Sequence, residues 1–185
     1  VFMILEVKGI RKTFDKTEIL HGISFTVQSG KAMGFLGRNG AGKTTTFRCL
    51  MNVFKQTDGE FLLDGKPFDV NQNHIGYLPE ERGMYAKVSL KDQLAYFAKL
   101  KGADNKKAAE EAEYWIDYFG LKEYTNKKLE TLSKGNQQKI QIAQAFINDP
   151  AIIILDEPFS GLDPVNAQIF KDAIKEAVAK GKLVI

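Results

Sequence analysis

Apolar and polar residues alternate through much of the early part of the chain, a pattern typical of β-strands. Runs of this kind, bounded by turn residues, predict strands at 3–8, 18–27, 31–36, 59–65 and 75–79. One helical repeat interrupts them, because Phe47, Leu50 and Met51 recur at the spacing of a helix face. A short connection, residues 37–44, therefore joins a predicted strand to a predicted helix.

The middle of the chain changes to helical repeats. Apolar residues recur on one face at 89–101, where Ser89 is the predicted cap, and again at about 105–119, with Trp115 expected in the core. A third helix is predicted to open at Ser133 and to stop at Asp149-Pro150. The pattern thus predicts a helical subdomain at about 87–148, set into a core at about 1–86 and 149–185.

After this insertion the strand pattern returns. Residues 152–155 are four apolar residues in succession, as in a parallel strand buried on both faces. Asp163 and Pro164 then open a predicted helix that ends at Gly181. Residues 183–185 begin another strand at the end of the chain, so we expect the chain to be a fragment of a longer protein.

Composition is that of an ordinary soluble protein. The 185 residues suffice for one sizeable core, and the net charge of +3 is too mild to indicate nucleic-acid binding by itself. The longest apolar run, 151–155, is far shorter than the roughly 20 residues of a membrane span. The single cysteine, Cys49, excludes an internal disulfide and is expected to pack within its helix.

The connection at 37–44 has the pattern of a phosphate-binding loop, a glycine and four residues followed by Gly-Lys-Thr. Its glycines allow backbone N–H groups to turn inward around a phosphate, and the positive end of the next helix points to the same place. Lys43 is predicted to neutralise the outer phosphates and Thr44 to offer a hydroxyl to Mg²⁺.

Two acids, Asp156 and Glu157, end the apolar strand at 152–155. Adjacent carboxylates are costly there unless a cation or a catalytic task accounts for them. Asp156 is predicted to join the Mg²⁺ shell and Glu157 to polarise a water against the outermost phosphate. The alternative is that both acids cap the following turn.

Two further features have both a binding and a purely structural interpretation. Phe14 lies in a predicted polar loop, where its ring could stack on a purine base or pack under its own loop. Ser133 and Gly135 open the third helix of the insertion, which could bind an anion or be an ordinary capped helix.

Taken together, these motifs resemble those of the ATP-binding cassette (ABC) ATPase family along essentially the whole chain. The loop at 37–44 resembles Walker A, Asp156-Glu157 resembles Walker B with its catalytic glutamate, and Leu132 to Gln137 is similar to the family signature. Ser160 to Asp163 looks like the D-loop.

The resemblance implies an ATP and Mg²⁺ site. Its catalytic residue would be Glu157, and its metal residues would be Thr44, Asp156 and Glu80. The implied ATP-binding residues are Phe14, Gly37, Arg38, Asn39, Gly40, Ala41, Gly42, Lys43, Thr44, Thr45, Ser133, Gly135, Asn136 and Gln137.

The chain departs from the family pattern at three places. Glu80 stands where the family has the Q-loop glutamine, and an ionised carboxylate cannot donate a hydrogen bond. The signature carries Lys134 and an extra-looking Asn136, which leaves open whether Asn136 or Gln137 takes its last role. The family's switch histidine would follow the strand that begins at Lys182, so this chain alone is expected to hydrolyse ATP weakly.

The fold implied by the resemblance is α/β: a P-loop NTPase core with an antiparallel β part, an inserted α-helical subdomain and a truncated C-terminal end. The implied function is that of a cytoplasmic ATPase, peripheral to the inner face of the cell membrane. It would form a head-to-tail dimer with a second ATPase chain, drive a separate membrane permease and bind no nucleic acid. The sequence around Glu80 and in the signature is similar to that of ABC-2-type sodium and drug exporters.

Two other functions remain as alternatives. One is a soluble ABC protein that acts on ribosomes or DNA, although such proteins carry two cassettes or a long coiled coil. The other is a nucleotide-gated module that does not hydrolyse ATP, which Glu80 leaves open.

Overall fold

The computed structural model describes residues 2–38, 40–80 and 83–185. These form two compact units. The first comprises the described residues up to Ile75 with Ala151–Asp156 and Ile174–Ile185, and the second comprises Gly76–Pro150 and Glu157–Ala173. The predicted subdomain boundaries near 87 and 148 stay a prediction, although the three predicted helices lie within the second unit.

The chain contains eight described strands and five described α-helices. The strands are β1 (Ile4–Phe14), β2 (Thr17–Gln28), β3 (Lys31–Ala32), β4 (Asp58–Leu63), β5 (Lys66–Pro67), β6 (Ile75–Leu78), β7 (Ile152–Leu155) and β8 (Leu183–Val184). The α-helices are α1 (Lys43–Leu50), α2 (Leu90–Leu100), α3 (Asn105–Tyr118), α4 (Lys134–Phe146) and α5 (Pro164–Ala179). No helix among the described residues is long and apolar enough to cross a membrane.

An antiparallel sheet with the strand order β2-β1-β4-β5 lies in the first unit. β1 continues well beyond the predicted end at residue 8, through a register shift between Val7 and Ile10. Gly9, with a φ of 59°, lies at this irregularity. The irregularity breaks the alternation of apolar residues, and for that reason the pattern alone ends the strand too early. The prediction that Phe14 lies in a loop is wrong, because it is the last residue of β1.

Parallel strands form the other sheet of this unit, where β8 pairs with both β3 and β7. All four residues of β7 are buried, as its uninterrupted apolar sequence predicts. The strand predicted at 31–36 is shorter, since β3 comprises Lys31 and Ala32, which pair with Leu183 and Val184.

β1, β2 and α1 contribute to the core of the first unit, together with β7 and β8. Their fully or almost fully buried side chains include Leu5, Val7, Ile10, Leu20, Val27, Phe47 and Leu50. Cys49 is buried on α1 as well, and burial raises the pKa of its thiol. The predicted packing role of Cys49 is therefore confirmed.

In the second unit, α2, α3 and α4 begin where the helical repeats predict. Ser89 caps α2 by accepting a hydrogen bond from the Asp92 N–H, and Asp104 caps α3 in the same way through the Lys107 N–H. Trp115 is half-buried on α3, and its ring centre lies 5.4 Å from that of Phe146.

α4 ends at Phe146, before the predicted stop at Asp149-Pro150. The helix ends there because Ile147 is already extended, with a ψ of 143°. Asn148 and Asp149, which follow, have left-handed backbones with φ of 63° and 49°. The Asn148 side chain donates to the Lys101 carbonyl (2.7 Å), and its backbone N–H donates to Glu111 (3.0 Å). These contacts hold the segment after α4 against the end of α2 and the middle of α3.

Lys101 is a charged residue within this packing. Its ammonium donates to the Gln144 carbonyl at 3.0 Å. Burial lowers the pKa of Lys101 to about 8, although the charge of Glu111 offsets part of that effect. In the unfolded chain the lysine pKa is near its ordinary value of about 10.4.

The lowered pKa of Lys101 should make the stability of the protein depend on pH in the alkaline range. Between about pH 8 and pH 10.4, Lys101 is protonated in the unfolded chain and loses its proton in the folded protein. The contribution of Lys101 to the free energy of unfolding should therefore rise with pH. We expect the difference between the wild type and Lys101→Met to grow by roughly 2–3 kcal/mol in the wild type's favour across this window. Urea unfolding of both proteins at several pH values measures it.

The matched control is Lys99→Met, because Lys99 is an exposed lysine in the last turn of α2, two residues before Lys101. An equal pH slope in Lys101→Met and the wild type would contradict the assignment.

Gly76 marks a close approach of β6 to α4. A Cβ atom built on Gly76 would lie only 1.8 Å from the Ala145 carbonyl oxygen, an overlap with backbone. We expect Gly76→Ala to lower the free energy of unfolding by at least about 2 kcal/mol, because a rigid helix must shift. Chemical denaturation provides the measurement, with Gly83→Ala as the control since nothing lies within 4 Å of its added Cβ. Equal stability of the two variants would contradict the close packing.

Candidate functional site

The phosphate loop joins β3 to α1 in the first unit. Phe35, just before the loop, contacts Phe25 of β2 and Phe47 of α1, with ring centres 5.3 and 5.4 Å apart. Gly37, Arg38, Gly40 and Ala41 are exposed, whereas Gly42 is buried. Asn39, also predicted to bind ATP, lies outside the described residues.

Gly42 fixes the start of α1. Its φ of 87° turns the chain into the helix, and an added Cβ would lie 2.4 Å from the Leu20 side chain of β2. Only glycine combines that conformation with that approach. The Thr46 hydroxyl donates to the Gly42 carbonyl at 2.9 Å, which secures the first turn.

Lys43 is the first residue of α1. Its ammonium donates to the Gly37 carbonyl at 2.7 Å and lies 3.4 Å from the Arg38 carbonyl oxygen. The positive charge is therefore held at the loop and next to the backbone amides of the helix start. Thr44 and Thr45 follow on the same turn, both half-buried.

The acid pair ends β7. Asp156 is fully buried, and a carboxylate at that depth requires a cation or hydrogen-bond donors. Glu157 is half-buried and has a left-handed backbone with a φ of 48°. For a residue other than glycine this conformation costs about 1–3 kcal/mol, so the segment after Glu157 must be held by its surroundings.

Contacts within the second unit supply that support. The Ser160 N–H donates to the Glu157 carbonyl at 3.1 Å, and the Gln138 side chain of α4 donates to the Ser160 carbonyl at 3.3 Å. The Phe159 ring lies 5.3 Å from that of buried Phe170 on α5. The segment that carries Glu157 is thus anchored on two helices.

A polar pocket of about 470 Å³ also lies in this unit. It brings together three predicted site residues, namely Glu80, Gln137 and Glu157. Its other lining residues are Lys134, Gln138, Gln141, Ser160 and Gly161. Two acidic residues and a lysine therefore line one opening that is large enough for several water molecules.

The signature segment forms the start of α4. Ser133 caps the helix by accepting from the Asn136 N–H at 3.3 Å, and the Gln137 side chain donates to the Leu132 carbonyl at 2.9 Å. The helix is continuous from Lys134, and Asn136 lies in its first turn. Gly135 approaches Asn166, since an added Cβ would lie 3.0 Å from its side-chain nitrogen.

Phe14 is 41% exposed at the end of β1. Its ring meets that of Phe54 edge to face, with centres 5.2 Å apart and planes at 84°. The ring therefore packs against a residue that follows α1, and a large part of it is accessible.

Sequence reasoning missed several residues of these sites. Gln138 and Gln141 line the pocket, and Lys12 lies against the Phe14 ring. Lys134, Gln138 and Gln141 are separated by four and three positions, a spacing that predicts that they share one face of the helix. The contact of Lys12 with Phe54 has no local pattern that could have revealed it.

No group of three His, Cys, Asp or Glu side chains that could hold a metal is found in the part of the chain that the structure describes. Mg²⁺ in phosphate sites commonly takes one or two protein ligands and otherwise phosphate and water oxygens. A hydroxyl at Thr44 and a buried carboxylate at Asp156 fit such a sparse ligand set.

Comparison with known proteins finds relatives described as ABC transporter ATP-binding proteins. A family model described as "ABC transporter" matches residues 20–160. The ABC transporter ATP-binding protein YhaQ of Bacillus subtilis is 45% identical over 92% of this chain and 58% of its own length. An ABC transporter ATP-binding protein of Methanocaldococcus jannaschii is 41% identical over 98% of this chain and 66% of its own length.

Among solved structures, a putative ABC transporter ATP-binding protein from Pyrococcus furiosus matches with a TM-score of 0.83 and 29% identity. That match covers 98% of this chain and 89% of the other. The predicted fold class, an α/β core with an antiparallel β part and inserted helices, is confirmed. The chain spans roughly three fifths of the length of the curated relatives that it matches.

Proposed function

The chain belongs to the ABC transporter family, and from that membership we propose that it binds and hydrolyses ATP as the ATP-binding subunit of a transporter. The observation that carries this proposal is the phosphate loop at the start of α1, with the Lys43 ammonium held at it. Backbone amides at a helix start, beside a lysine, favour the phosphates of a nucleotide. Phe14 is proposed to stack on the adenine.

Thr44, Asp156 and Glu80 are proposed to hold Mg²⁺. The metal, when bound, supplies charge neutralisation at the outer phosphates. The complete burial of Asp156 supports this role, because an adjacent cation offsets the cost of a buried carboxylate. Glu80 can accept hydrogen bonds and bind a metal, but in its ionised form it donates none.

Glu157 is proposed to polarise the attacking water. Glu157 lines the polar pocket, where water has room, and its backbone is anchored through Ser160 and Gln138. General-base assistance by a positioned carboxylate typically contributes about 10²–10⁴-fold to a rate.

The signature residues Ser133, Gly135, Asn136 and Gln137 are proposed to bind an ATP molecule held by the phosphate loop of a second ATPase chain. The start of α4 supports this role, since backbone amides at a helix N-terminus favour phosphate. We further propose that the resulting head-to-tail dimer drives a separate membrane permease from the cytoplasmic face, in a transporter of the ABC-2 exporter type. No nucleic-acid partner is proposed.

Replacement of Lys43 tests nucleotide binding. Lys43→Ala should weaken Mg·ATP binding by about 2–4 kcal/mol, because it removes a charged partner of the outer phosphates. Isothermal titration calorimetry measures the affinity, and Lys66→Ala, at an exposed lysine of β5, should bind as the wild type does. Equal ATP affinity in the wild type and Lys43→Ala would remove Lys43 from this role.

Replacement of Glu157 separates binding from hydrolysis. Glu157→Gln keeps the size of the side chain and removes most of its basicity, so ATP affinity should persist while phosphate release slows by about 10²-fold or more. The protein should then accumulate as an ATP-bound dimer, detectable by size-exclusion chromatography. Glu123→Gln, at an exposed glutamate, is the control. Wild-type turnover in Glu157→Gln would exclude Glu157 as the base.

A further inference from the structure

The ammonium of Lys12 lies between two aromatic rings in the first unit. Its nitrogen is 4.8 Å from the ring centre of Phe14 and 5.0 Å from that of Phe54. Both distances are within the range in which a cation is attracted to the face of an aromatic ring. Lys12 is half-buried, so this attraction is less weakened by water than at a fully exposed site.

The same ammonium donates a hydrogen bond of 2.6 Å to the Lys55 carbonyl. Two backbone contacts accompany it: the Thr13 N–H donates to the Thr57 hydroxyl (3.0 Å), and the Thr57 N–H donates to the Arg11 carbonyl (2.8 Å). The end of β1 is therefore tied to the segment that follows α1. Since α1 begins at the phosphate loop, these contacts link the strand that carries Phe14 to the helix that carries Lys43.

A half-exposed aromatic ring at the end of a strand can rotate about its side-chain bonds. Stacking on a base requires that the ring present a fixed face, and fixing it on binding costs side-chain entropy. A cation at one face and a second ring in edge-to-face contact restrict the ring before a ligand arrives. The side-chain entropy of Phe14 is then lost when the chain folds and not when the nucleotide binds.

We propose that Lys12 is a positioning residue for nucleotide binding, which holds the Phe14 ring, buttressed by Phe54, in the orientation that stacks on the base. The proposal rests on the proposed nucleotide site. In this proposal the Lys12 ammonium acts where the base of the nucleotide binds, whereas the Lys43 ammonium acts at the phosphates.

The distinguishing experiment compares two ligands, Mg·ATP and magnesium tripolyphosphate, which has the phosphates but no base. Lys12→Met keeps the length and apolar character of the stem and removes the cation. It should weaken ATP binding by about three- to tenfold and leave tripolyphosphate binding unchanged in calorimetry. Lys12→Arg, which keeps a cation and a donor, should retain the wild-type affinity for ATP.

Lys16→Met is the matched control, because Lys16 is an exposed lysine in the turn just after β1. It removes the same charge near the same strand end without touching either ring contact. Its affinities for both ligands should equal those of the wild type.

A double-mutant cycle tests whether Lys12 acts through Phe14. Phe14→Ala alone should weaken ATP binding by about five- to a hundredfold. On that background Lys12→Met should have less than about a twofold further effect, because the ring it positions is gone. Phe54→Leu, a second route to the same ring, should weaken ATP binding and likewise lose its effect in the Phe14→Ala protein.

Three results would overturn the proposal. Equal loss of ATP and tripolyphosphate binding in Lys12→Met would mean that Lys12 contacts phosphate directly. Unchanged ATP binding in Lys12→Met, with thermal unfolding like that of the wild type, would mean that it only packs. Additive losses in the cycle would mean that it acts independently of Phe14. If Lys12→Met does not fold, the Lys12→Arg and Phe54→Leu results decide, and a wild type that binds neither ligand would instead refute the proposed function.

Discussion

The packing of Gly42 on β2 is the constraint on which the first unit depends. Its left-handed backbone turns the phosphate loop into α1, and the Leu20 side chain leaves no space for a Cβ atom. Because β2 pairs with β1 along most of its length, the same contact relates the loop to the strand that ends at Phe14. The loop that carries Lys43 and the strand that carries Phe14, the residues proposed to bind the phosphates and the base, are thereby joined through β2.

In the second unit, packing holds Glu157, whose backbone is strained, in place. Glu157 adopts a left-handed conformation that costs free energy. A side-chain amide from α4 and an aromatic contact on α5 hold the segment that follows it. The same α4 face lines the pocket that contains Glu80 and Glu157, so packing and polarity at this site depend on one helix.

Much of the fold could be predicted because its determinants are local. Helix caps at Ser89 and Ser133, and the apolar strand at 152–155, depend on residues within a few positions of one another. The end of β1 could not be predicted, because an irregularity at Gly9 interrupts the alternation while the hydrogen-bonded ladder continues. Because the strand was predicted to end too early, Phe14 was also predicted to lie in a loop.

The sequence by itself determined the candidate chemistry: the glycines, lysine and threonine of the phosphate loop, and the acids that end a buried strand. Such motifs are readable because each places its functional groups along one short stretch of backbone. The tertiary structure alone decided which side chains support them. Lys12 reaches the Lys55 carbonyl across 43 positions, and Gln138 reaches Ser160 across 22. Contacts at those separations depend on strand pairing and helix packing, which no short sequence pattern specifies.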